Sequence, residues 1–96
     1  MADVLITSAA EGVYAEALSW YVERSVQAAE RLEVEFDLAI QAIAFDPGRF
    51  PRCDEQHHYY LMRHFPYQGI YRQLDRGIAV IAVAHTSRKP RYWAKR

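Results

Sequence analysis

The stretch that decides the fold is YYLMRHFPYQGIYRQLDRGIAVIAVAH, residues 59–85. Aromatic and β-branched residues dominate it, and turn residues punctuate it. Residues 59–63 predict a strand. Phe65-Pro66-Tyr67 reads as a tight turn or strand break, and residues 67–74 as the next strand. Asp75-Arg76-Gly77 suits a three-residue hairpin loop with its glycine in the left-handed position. Residues 78–84 are apolar throughout, the pattern of a central strand covered on both faces.

Upstream the period changes. Val4-Leu5-Ile6-Thr7 is a short β-prone run, and Ser8 with Glu11 three residues on has the form of a capping box. Val13, Tyr14, Ala17, Leu18 and Tyr21 then recur at helical spacing. The pattern breaks near Arg24-Ser25. A second stripe follows in Ala29, Leu32, Phe36, Ile40 and Ile43, and Asp46-Pro47-Gly48 ends it, because a residue before proline avoids the α region. Two helices so closely joined predict an antiparallel hairpin. Tyr14, Trp20, Tyr21, Phe36 and Phe45 are expected in the core or in hairpin packing. Residues 49–57 read as a loop. The expected fold is therefore α+β: an N-terminal strand, then an antiparallel helical hairpin packed on a mostly antiparallel sheet.

Ninety-six residues make one domain, 1–96. The longest apolar run, seven residues, is too short for a membrane span. The N-terminus lacks the basic and apolar regions of a signal peptide, and the single cysteine, Cys53, forms no intrachain disulfide and fits a reducing cytoplasm. A net charge of zero hides a segregation. Residues 1–48 carry nine acids and two bases, residues 49–96 three acids and ten bases. Either the two halves attract each other, or a basic face meets an anion.

Several motifs recur together: Leu61-Met62-Arg63-His64-Phe65-Pro66-Tyr67, Tyr71-Arg72, Ile81-Ala82-Val83-Ala84-His85, then Arg88, Pro90, Tyr92 and Trp93. With Trp20-Tyr21 and Ala28-Ala29-Glu30-Arg31 upstream, the chain resembles the RelE/ParE superfamily of toxins from bacterial type II toxin–antitoxin modules, and most of all the ParE-like, plasmid-stabilisation branch. It departs from that pattern at Gly69, where a β-branched residue is usual; the glycine is expected to weaken or bulge its strand.

The resemblance implies a growth-inhibiting toxin that binds DNA gyrase and is neutralised by a cognate antitoxin with an acidic binding segment. Two alternatives share the fold: a ribosome-dependent endonuclease acting on mRNA, and a non-toxic remnant that only binds antitoxin. Under the nuclease alternative Arg63 matches the arginine on the strand before Phe-Pro-Tyr and suits a phosphate. His85 and Tyr92 complete the candidate catalytic set, His85 for proton transfer. Arg88, Lys89 and Arg91 are candidate target or phosphate contacts. A general base is the missing part, with Asp54 and Glu55 the nearest candidates. Cys53, His57 and His58 invite a metal reading, but adjacent histidines in a strand point to opposite faces and no fourth ligand stands out. No metal, cofactor or membrane partner is expected.

Overall fold

The computed structural model describes residues 2–87. Its order is β1 (Val4–Ile6), α1 (Ser8–Arg24), α2 (Val26–Phe45), β2 (His58–Leu61), β3 (Tyr67–Leu74) and β4 (Gly77–His85). The strands form one sheet in the order β1-β4-β3-β2. β1 lies parallel to β4, and the other two pairings are antiparallel, with Tyr67 opposite His85 and His58 opposite Tyr71. The expected architecture is present.

Thr7 joins the sheet to the helices. Its backbone N–H still donates to the Val80 carbonyl, so it remains extended. Its Oγ1 accepts from the Ala10 N–H and thereby caps α1. Ser8, the expected cap, is instead the first helical residue, because the strand ladder holds Thr7 in the extended conformation that a cap requires. Ser25 is the only residue between the helices. Its N–H closes α1 on the Tyr21 carbonyl and its Oγ caps α2 at Ala28 N–H. Asp46 ends α2, its N–H bonded to the Ala42 carbonyl.

The stripe expected on α2 is the buried one: Ala29, Leu32 and Ile43 are covered, with Phe36 and Ile40 packed against the core. Under the helices, one cluster gathers Ala10, Ile43, Tyr71, Ile78, Val80 and Val83. A second gathers Ala17, Leu32, Met62 and Phe65, with Tyr21 edge-on to Phe65. On the opposite face Ile70, Ala82 and Ala84 pack with Cys53, Tyr59 and Ile81. Both faces of β4 are thus covered, as its unbroken apolar run predicts.

The two glycines of this region behave differently from expectation. The pairing passes from Ile70–Ala82 to Tyr71–Val80, so the irregularity leaves Ile81 of β4 as the extra residue. Thr7 Oγ1 donates to the Ile81 carbonyl at 3.1 Å, which satisfies a group the bulge takes out of the ladder. The bulge is what lets Val80 and Val83, three apart, face the same helices. Gly69 itself is paired regularly, with Tyr60 and Val83. Gly77 is not the left-handed residue of a three-residue loop; it is a strand residue opposite Leu74, and the turn is Asp75-Arg76 alone. A Cβ there would lie 2.7 Å from the Asp3 carbonyl oxygen, which accepts from the Ile78 N–H, so close backbone approach requires the glycine.

Candidate functional site

Arg63 lies beyond the end of β2, which stops at Leu61, and not on a strand as expected. Its position is set from the helices. Glu35 of α2 accepts from the backbone N–H groups of Arg63 and His64 at 2.8 and 3.0 Å, and the His64 ring stands 3.4 Å away. Two amides on one carboxylate oxygen fix the turn and leave the Arg63 side chain exposed, without an ion-pair partner among the described residues. Glu35 is mostly covered, and its Oε2 is buried with no hydrogen-bond partner. Phe65, two residues on, is sealed into the core and holds the turn from the other side.

His85 ends β4. Its Nδ1 accepts from the Ser87 N–H at 3.1 Å and lies 2.7 Å from the Ser87 hydroxyl, which places the proton of a neutral ring on Nε2. The ring stands edge-on to Tyr67. Both line an open groove of about 760 Å³ beside α1, with Ser8, Gly12, Glu16 and Trp20 on its helical wall. Burial raises the Tyr67 pKa, with Tyr21 and Glu16 adding to the effect, so its phenol remains a hydrogen-bond donor at neutral pH. Arg63 is not among the groove's lining residues. The turn that carries Arg63 is itself tied to the end of β4, where the Thr86 N–H donates to the Pro66 carbonyl.

Asp54 and Glu55 do not supply the missing base to that groove. Asp54 Oδ1 accepts from the N–H groups of Gln56 and His57, and the His57 ring lies 2.9 Å away. The Gln56 amide, with the His57 ring and amide, brings the Asp54 pKa down to about 2 against the effect of burial. The carboxylate orders its own loop and is a poor base. His58 is also committed: its Nδ1 donates to the Phe50 carbonyl at 2.8 Å, and the ring stacks on Tyr71. Tyr92, Arg88, Lys89 and Arg91 lie outside the described residues.

Two aromatics expected inside are outside. Tyr14 stacks on Phe36 and Tyr21 meets Phe65, but Trp20 is 51% and Phe45 81% exposed. The Arg24 guanidinium covers one Trp20 face, 3.9 Å from the ring centre. Phe45 belongs with exposed Val34 and Leu38 to a second apolar stripe on α2. The spacing 34, 38, 45 is helical and was available in the sequence, but it is masked by the longer buried stripe beside it. Exposed apolar residues aligned on one helix are a surface that a partner can cover. No helix among the described residues is long and apolar enough to cross a membrane.

The fold and these positions can be set against known proteins. The family model of the ParE toxin of type II toxin–antitoxin systems, parDE, matches residues 4–90. No curated protein matches the chain. Among solved structures, the chromosomal ParDE toxin–antitoxin system from P. aeruginosa superimposes with a TM-score of 0.73 at 13% identity, over 88% of this chain and 96% of that one. At that identity the superposition speaks for the fold, and the family match spans nearly the whole chain. The chain belongs to the ParE toxin family of type II toxin–antitoxin systems and is a ParE-like toxin.

Proposed function

We propose that this toxin inhibits growth by binding DNA gyrase, in the cytoplasm, and that a cognate antitoxin neutralises it by covering the same molecule. The observation that supports the gyrase reading is that Asp54, the carboxylate the sequence offers as a base, is bonded to the Gln56 and His57 amides of its own loop. RNA cleavage by the adjacent 2′-hydroxyl needs a base, a cation and an acid converging on one phosphate. Here only the backbone of Arg63 is anchored, by Glu35, and the Asp54 carboxylate is spent on its own loop. A protein inhibitor needs only an exposed side chain on a fixed backbone, which is what the Glu35 clamp provides for Arg63.

The exposed stripe Val34, Leu38 and Phe45 supports an antitoxin that lays apolar residues along the hairpin. The five exposed arginines between residues 49 and 76 support an acidic segment in the same partner.

Primer extension on mRNA in a translating extract tests the choice of target. The expected result is uncut message at toxin concentrations that stop growth. Codon-phased cuts that vanish in His85→Ala would replace gyrase binding with the endonuclease mechanism.

A further inference from the structure

Away from both the α1 groove and the Glu35 clamp, a polar recess of about 270 Å³ opens at the β2 edge of the sheet. It is lined by Arg52, Glu55, Gln56, His58, Arg72 and Gln73. The backbone brings these together. Arg52 bridges to His58, His58 is paired with Tyr71, and Arg72 and Gln73 follow on β3. We infer that this recess is a phosphate-binding site, and that the phosphate it takes is a phosphodiester of a nucleic-acid backbone. The inference is independent of whether gyrase is the target.

Three features argue for an anion here. First, neither guanidinium group is neutralised by a carboxylate. Neither Arg52 nor Arg72 has an ion-pair partner among the described residues, although Glu55 stands on the same recess. The Arg52 Nη1 contact to the Glu55 carbonyl, at 3.5 Å, is at the limit of a hydrogen bond. Guanidinium forks match phosphate oxygens in pairs. Second, the remaining lining suits an oxyanion: Gln56 and Gln73 bring amide donors. Third, the floor is rigid. The His58 ring is bonded to the Phe50 carbonyl and stacked on Tyr71, whose hydroxyl donates to the Pro47 carbonyl at 2.5 Å. A site held in place before binding loses little on ordering.

A polymer fits better than a free ion because two more exposed cations lie close along the chain to residues of the recess or its floor. Arg49 precedes Phe50, the residue bonded to His58, and Arg76 stands in the turn two residues after Leu74 ends β3. Both are exposed and neither is ion-paired among the described residues. Successive phosphates of one strand reach several such cations, and each neutralised phosphate releases counterions.

The test is a ¹⁵N NMR titration of the full chain at constant ionic strength, with inorganic phosphate and with a short DNA duplex as separate probes. Side-chain signals of Arg52, Arg72, Gln56 and Gln73 are expected to move with phosphate, and with the duplex at far lower concentration. Arg72→Gln, on an exposed side chain, should weaken both by about tenfold while the rest of the spectrum stays native. Glu55→Gln removes the one carboxylate on the recess and should tighten both several-fold, a gain that a merely structural role does not give. Movement with phosphate and none with the duplex keeps the phosphate site and assigns it to the free ion. Signals that do not move with either probe, or binding indifferent to Arg72→Gln and Glu55→Gln, overturn the inference.

Discussion

At Gly77 a methyl group would stand 2.7 Å from the Asp3 carbonyl oxygen, and that atom is backbone held by the β1–β4 ladder. Gly77→Ala is therefore expected to destabilise the protein by about 2 kcal/mol, the usual cost of overpacking. Gly69 is the opposite case. Nothing lies within 4 Å of its missing Cβ, and it borders a small apolar cavity of about 20 Å³ with Phe36, Ile43 and Met62. Gly69→Ala should stabilise by about 0.5–1 kcal/mol. For a domain of this size these changes move the melting temperature in opposite directions, by roughly 4–8 °C per kcal/mol. Thermal melting of the two variants checks both signs. Asp54 gives a pH prediction. Its pKa falls from 3.8 to about 2 on folding, so its stabilisation is present above about pH 4 and is lost as pH falls towards 2. In Asp54→Asn the loss of stability across that window should flatten, as read from denaturant unfolding at each pH. An unchanged slope would contradict the role given to the Gln56 and His57 hydrogen bonds.

At the scale of elements, the β2–β3 turn is where fold and function meet. Arg63 is held there by its backbone, not by its side chain. Arg63→Ala should therefore change stability by less than about 0.5 kcal/mol, as exposed substitutions do, while abolishing growth inhibition. A melting temperature that falls together with toxicity would make the residue structural. This arrangement also shows what the sequence could tell. Periodicity located both helices, the break at Ser25 and the bounds of β3, because burial on one face writes itself as spacing. It did not locate the bulge at Ile81, since an unbroken apolar run hides which residue is extra. It did not separate Thr7 from Ser8 as the cap, since either hydroxyl fits locally and only the bond to Val80 decides. The Glu35 clamp was illegible for the same reason: its partners are 28 and 29 residues away. Arg63 and His85 were legible as candidates by family resemblance, but what holds each in place is a property of the tertiary structure.

At the scale of the whole molecule, the charge segregation is only weakly neutralised among the described residues. Among the described residues the contact between the halves that can become an ion pair is His64 with Glu35, and it is ionic only when His64 is protonated. Arg49, Arg52, Arg63, Arg72 and Arg76 are all exposed and lack ion-pair partners among the described residues. The basic half is thus open to partners, which bears on the antitoxin and on the recess at the β2 edge alike. Neither feature supplies a cleavage mechanism, in keeping with the proposal that the toxin acts by binding. The most direct measurement is gyrase supercoiling of relaxed plasmid with increasing amounts of the purified toxin. Supercoiling is expected to fall as toxin is added, with His85→Ala inhibiting as well as the unaltered chain and Arg63→Ala not inhibiting. Undiminished supercoiling at a large molar excess of folded toxin would contradict that proposal.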